Sequence, residues 1–293
     1  MTEKPSAGFV TTVGRLVRAD AIKLSRYWVV IAGYLAIAVV AIPGAILFHA
    51  GEEAINVRSA SGYEFAFSLM VRTLDFSSSI LFVMLCILFS IDIANSTIKY
   101  ILTRPVTRIE MLVSKYAVAM CMVAITIVLL WVTCLGAGAY YHGLGDLREN
   151  DYVLFSAGVM MRNIAMASLF LLIALGAQAS MAVAISAWSS TMGGAIIIGL
   201  ILYTVIGAVG IVPQTLGIEF GSGPGAVFVP WAALSFTHQL VVPMVILDDL
   251  PAGLPIDGWW TEEIRRLVVV CGLTAASFFG LAAVRVRNRD FTL

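Results

Sequence analysis

Residues 92–115 read DIANSTIKYILTRPVTRIEMLVSK, a charged, proline-broken segment set between two long apolar runs. Ile98, Ile101 and Leu102 recur at helical spacing beside Lys99, which predicts one or two amphipathic turns. Pro105 disfavours helical geometry at Arg104 and ends that helix. Thr107 and Glu110 then have the spacing of a capping box: the threonine hydroxyl accepts from the third helical amide, and the glutamate reaches back to the amide of the cap. A new helix is expected to begin at about Arg108 and to run on into the apolar stretch after Lys115. The segment reads as a rigid corner between two long helices, with Arg104 and Arg108 on display.

Outward from this corner the chain is apolar. Hydrophobic residues make up 60% of the 293 and charged residues 12%, against roughly 45–50% and about 25% in an average soluble domain. A bilayer span needs about 20 mostly apolar residues. Six stretches qualify, at about 27–48, 74–93, 116–141, 164–188, 192–212 and 267–284. A seventh, 226–247, contains Pro230, Pro243 and His238 and is read as re-entrant or interfacial, within an outer region of residues 213–266 that also carries Trp259 and Trp260. The expected fold is an all-α polytopic membrane protein forming a single transmembrane domain over 1–293.

Net charge is zero, so no basic face points to nucleic acid, but the distribution is uneven. Six spans put both termini on one side. The segments on that side hold 12 of the 18 basic residues and five of the 18 acids. The basic excess makes that side the cytoplasm, in a cell (inner or plasma) membrane. Residues 9–26 form an amphipathic pattern. Val10, Val13, Leu16, Val17, Ala21 and Leu24 lie on one side and Arg15, Arg18 and Arg26 on the other, while Asp20 and Ile22 break it. Such a basic helix just before a span is expected to lie in the headgroup plane, in contact with membrane lipid. The apolar run that follows is too long for the core of a cleavable signal.

Between spans one and two the sequence predicts a polar outer loop of about 25 residues, and between three and four an acidic one, HGLGDLREND. Span four is rich in Ala, Gly and Ser, which let helix backbones approach closely, and is expected to pack centrally. Cys86, Cys121, Cys134 and Cys271 fall within spans, without metal-site spacing, and read as packing residues. Spans three to six carry no ionisable residue in their interiors, which argues against proton or ion relays. No Gly-Lys dipeptide occurs, so a phosphate-binding Walker loop is excluded and any ATP chemistry belongs to a partner.

The stretch LTRPVTR at 102–108, with Asp92, Thr97 and Ile98 before it and Lys115 after it, resembles the permeases of the type-2 class of ABC exporters. Ser96 stands where the family usually has Gly, and Asp20 where its interface helix usually has Glu. The ending RVRNRDFTL is similar to the family's basic C-terminus. The resemblance implies a membrane subunit that pairs with a second copy or a homologue and docks cytoplasmic ATPase subunits, which hold ATP and Mg; the chain itself would hold no cofactor or metal and would not be an enzyme. It implies coupling surfaces at a coupling helix between spans two and three (Asp92, Thr97, Lys99, Arg104, Pro105, Thr107, Arg108, Glu110, Lys115) and at the interface helix (Arg15, Arg18, Asp20, Lys23, Arg26). Two other readings stay open. One is a membrane-embedded enzyme working through Asp146, Glu52 or Glu263; the other is a non-transporting membrane anchor for an ATPase.

Overall fold

In lipid, every backbone amide and carbonyl must be satisfied within the chain, so long apolar segments become helices. The structure, a computed structural model, describes residues 8–55, 59, 61–94, 106–149, 152–215 and 262–288. Its helices are α1 (Phe9–Ser25), α2 (Trp28–Ile55), α3 (Gly62–Ala94), α4 (Arg108–Tyr141), α5 (Ala157–Trp188), α6 (Met192–Thr215) and α7 (Glu262–Asn288). Five of them, α2, α3, α4, α5 and α7, are long and apolar enough to cross a membrane. The chain is thus a helical, multi-pass membrane protein.

The helices outrun the apolar windows that announced them. The polar outer loop expected between spans one and two is largely helical, because α2 continues to Ile55 and α3 already begins at Gly62. Hydropathy stops where polar side chains begin, but the helical ladder does not. The expected acidic loop after α4 contains a small antiparallel hairpin, β1 (Leu147–Glu149) with β2 (Tyr152–Phe155), so the chain is not purely helical. α5 starts at Ala157, where the Asp146 carboxylate accepts from the Ala157 amide at 2.8 Å. The expected re-entrant segment at 226–247 lies outside the described residues.

α3 and α5 form the centre, as the small residues of α5 led one to expect. Within their apolar windows 72% and 78% of residues are buried, against 28% for α2 and 22% for α7. Phe65, Phe67, Phe82 and Phe89 of α3 are all fully enclosed, and Phe67 meets Trp131 of α4 edge to face with ring centres 5.8 Å apart. Ser186 of α5 accepts from the amides of Phe89 and Ser90 at 2.8 and 2.9 Å, a polar staple between the two central helices. α2 turns Leu35, Val39, Ile42 and Ile46 outward, a helical stripe suited to hydrocarbon. Cys86, Cys134 and Cys271 are buried and Cys121 is exposed.

At one end of the bundle α3 and α4 touch through their main chains. The Gly62 amide donates to the Gly143 carbonyl at 3.0 Å. A Cβ added to Gly138 would come under 3.0 Å from the carbonyl oxygen of Gly62, and one on Gly62 would meet the carbonyls of Gly138 and Gly143 equally closely. Backbone cannot swing aside as a side chain can. Gly138→Ala is therefore expected to lower stability by about 1–3 kcal/mol. Gly136→Ala, with nothing near its added methyl, should be neutral or slightly stabilising. Thermal unfolding in detergent distinguishes the pair.

Candidate functional site

α1 ends at Ser25 with Arg26 as its cap, and α2 begins at Trp28, so the amphipathic helix is tied closely to the bundle. It lies against α4 and meets the start of α2. Leu24 is buried, and Val13, Leu16 and Val17 are half-buried on the inward stripe, while Arg15, Arg18 and Arg26 are exposed. Val10 and Ala21, expected on the apolar side, are exposed. Asp20, which breaks the amphipathic pattern, is turned inward, and Lys23 lies three residues on along the same face.

The reason is a buried network of charges. Lys115 of α4 is 3% exposed and Asp92 of α3 is 2% exposed. Lys115 Nζ donates to Asp20 Oδ1 at 2.8 Å and also to Asp92 Oδ2. Lys23 Nζ donates to Asp92 Oδ1, so each oxygen of Asp92 takes its own ammonium. Two acids and two bases compensate each other, which is the condition for keeping charges away from water. Burial pushes the Asp20 carboxyl above the usual aspartate value, against the opposing pull of the Lys115 ammonium. Three helices separated in sequence, α1, α3 and α4, meet at this one point.

Seven residues before Lys115, the start of α4 is fixed twice. Thr107 caps it as the sequence predicts: the Glu110 amide donates to Thr107 Oγ1 at 3.2 Å, and the Thr107 amide donates to Glu110 Oε2 at 2.7 Å. Arg108 then reaches across to α7, donating to the carbonyl of Val286 at 3.2 Å and to that of Arg287. A cation there answers the unpaired carbonyls and negative pole of a helix C-terminus. Nearby, the Arg285 guanidinium sits 5.4 Å from the centre of the Trp188 ring at the end of α5. The charged ends of α1, α3, α4 and α7 thus gather at one end of the bundle.

Several expectations change here. Arg108, expected on display, is half-buried and engaged with α7, because the carbonyls at the end of that helix need a donor. Asp92 and Lys115, expected among the coupling-surface residues, are both buried. Asp20 and Lys23 share their network, whereas Arg15, Arg18 and Arg26 remain on the outer face of α1. Thr97, Lys99, Arg104 and Pro105 lie outside the described residues, as does the side chain of Glu263. Asp146 is taken up at the start of α5, and Glu52 sits among histidines at the other end of the bundle. The sequence did hold a signal for the network: an acid, Asp20, on the apolar side of α1, with a base, Lys23, three residues on.

The chain matches the model of a family described as ABC-2 family transporter protein over residues 16–207, well over half of its length. No curated protein matches it. The matched region contains Asp20, Lys23, Asp92 and Lys115 together with the corner between them.

Removing one member of a buried ion network leaves the others uncompensated, at a cost of about 3–5 kcal/mol. Lys115→Met is expected to destabilise the protein by about that much. Combining it with Asp92→Asn should recover at least half of the loss. A loss in the double variant equal to the sum of the two single losses in reversible unfolding would show that the charges are independent of one another.

Proposed function

Because the chain belongs to the ABC-2 transporter family, we propose that it is the membrane-spanning permease subunit of an ATP-driven exporter, moving its substrate by alternating access. Separate cytoplasmic ATPase subunits bind ATP and Mg and supply the energy, and a second copy or a homologue of this chain completes the pathway. In this reading α6, 24 residues long, is the sixth span. The end that carries the buried charges faces the cytoplasm, with both termini there, in a cell (inner or plasma) membrane.

The observation that carries the reading is the Asp20–Lys115–Asp92–Lys23 network. An ATPase pressing on a membrane protein does work only if the touched surface is mechanically joined to the spans. Arg15 and Arg18 of α1 and Arg26 at its end are exposed and are offered to ATPase carboxylates, with Arg104 as a further candidate from the sequence. Asp20 and Lys23, on the opposite face of the same helix, lock α1 to α3 and α4. Displacement of α1 then moves two spans with it, because sliding past them would break a buried ion pair. The cap at Thr107 and the Arg108 bond to α7 make the start of α4 equally stiff. The coupling residues therefore divide into two groups, with outer ones that meet the ATPase and inner ones that transmit.

The division is testable with a cytoplasmic ATPase that co-purifies with this chain. Arg104→Glu is expected to reduce co-purification of the ATPase. Lys115→Met should leave co-purification intact while abolishing substrate-stimulated ATP hydrolysis in liposomes. Undiminished binding and stimulated hydrolysis in both variants would remove the coupling role from these residues.

A further inference from the structure

At the end of the bundle opposite the buried charges, the last turns of α2 and α4 bring together two imidazoles and a carboxylate. His49 and Glu52 are three residues apart on one face of α2, and His142 is the residue that ends α4. His142 Nε2 lies 3.2 Å from Glu52 Oε2, and His49 Nδ1 lies 3.8 Å from the same oxygen. Each of the three side chains offers a ligand atom within 4.8 Å of the other two. Ser59 secures the other oxygen: its amide donates to Glu52 Oε1 at 3.0 Å and its hydroxyl donates there as well. One carboxylate oxygen is thus occupied by the protein, while the second faces both rings.

His49 Nδ1 is buried and has no hydrogen-bond partner among the described residues. Its other nitrogen, Nε2, lies 3.6 Å from the Glu53 carboxylate. The ring is held by Tyr141, stacked on it with centres 4.2 Å apart, and Phe65 packs at 5.1 Å from the His142 ring. An orphaned imidazole nitrogen aimed at a carboxylate oxygen is a shortfall that a cation meets. Metal–ligand bonds of about 2.0–2.2 Å set neighbouring ligand atoms roughly 3–4 Å apart. The pairs made with Glu52 already have that separation.

We propose that His49 Nδ1, His142 Nε2 and Glu52 Oε2 bind one divalent first-row metal ion, zinc among those the ligand set suits. Two imidazoles with one carboxylate suit zinc, with water as fourth ligand, whereas calcium and magnesium prefer all-oxygen sites. Each ring enters as the tautomer with its lone pair on the ligating nitrogen. His49 then carries its proton on Nε2, toward Glu53, the outer carboxylate that orients such ligands. Ser59 plays the same orienting part for Glu52. The ion clips the end of α2 to the end of α4, next to the close backbone contact of Gly62 and Gly138. The site is independent of the exporter reading, since neither substrate nor ATPase takes part in it.

The test uses the full chain, purified in detergent, stripped with a chelator and titrated calorimetrically with zinc. One equivalent is expected to bind, magnesium and calcium are not expected to compete, and the thermal midpoint should rise with zinc. Cobalt in place of zinc should give a visible absorption spectrum that changes in His49→Ala. Glu52→Gln, isosteric and still able to bond Ser59, should weaken zinc binding at least about tenfold, and Glu53→Gln by less. If His49→Ala fails to fold, Glu52→Gln decides. Absent binding, or zinc affinity and stabilisation unchanged in Glu52→Gln, would overturn the proposal.

Discussion

The Lys115 ammonium, enclosed between the carboxylates of Asp20 and Asp92, is the constraint around which this end of the molecule is arranged. A lysine at this depth in a helix start has no water to turn to, and a single carboxylate on α3 does not complete its shell. α1 supplies the second carboxylate, which requires an amphipathic helix to rotate an acid toward the bundle. Lys23 then follows three residues later and meets the second oxygen of Asp92. The position of α1, its rotation and its closeness to α4 all follow from that demand.

The two ends of the bundle use different chemistry for the same purpose. At the charged end, ion pairs join α1 to α3 and α4, and Arg108 joins α4 to α7. At the other end, Gly62 and Gly138 let two backbones touch, and Glu52 stands between two histidines and Ser59. Between them α3 and α5 pack through fully enclosed aromatic and small residues, and the Ser186 hydroxyl joins them near the charged end. α3 takes part at every level, with Gly62 at one end, the enclosed Phe82 along its length and Asp92 at the other. A change in its tilt is felt at both ends, which suits a helix in a transporter.

For a member of the ABC-2 transporter family, the buried network also relates surface to interior. Charges exposed on α1 are available to another protein, and charges on its inner face are committed to the spans. The same short helix therefore exposes cations on one face and is attached to the bundle by the other. A loosely tethered amphipathic helix would have the first property without the second.

Length and hydropathy determined the membrane character of the chain and the approximate placing of its long helices, because the cost of exposing backbone in lipid leaves few alternatives. Local chemistry determined the start of α4, since Thr107 and Glu110 satisfy each other without help from elsewhere. The basic ends of the chain and the small residues of α5 were equally legible. Contacts between distant residues were not. Asp20 read as a flaw in an amphipathic pattern, Arg108 as a cation on display, and nothing in the sequence related His49 to His142, 93 positions apart. Charge pairing and ligand clustering depend on which helix faces meet, and that is settled by packing across the whole bundle. Periodicity within one helix could place Asp20 on a face; only the tertiary structure put Lys115 in front of it.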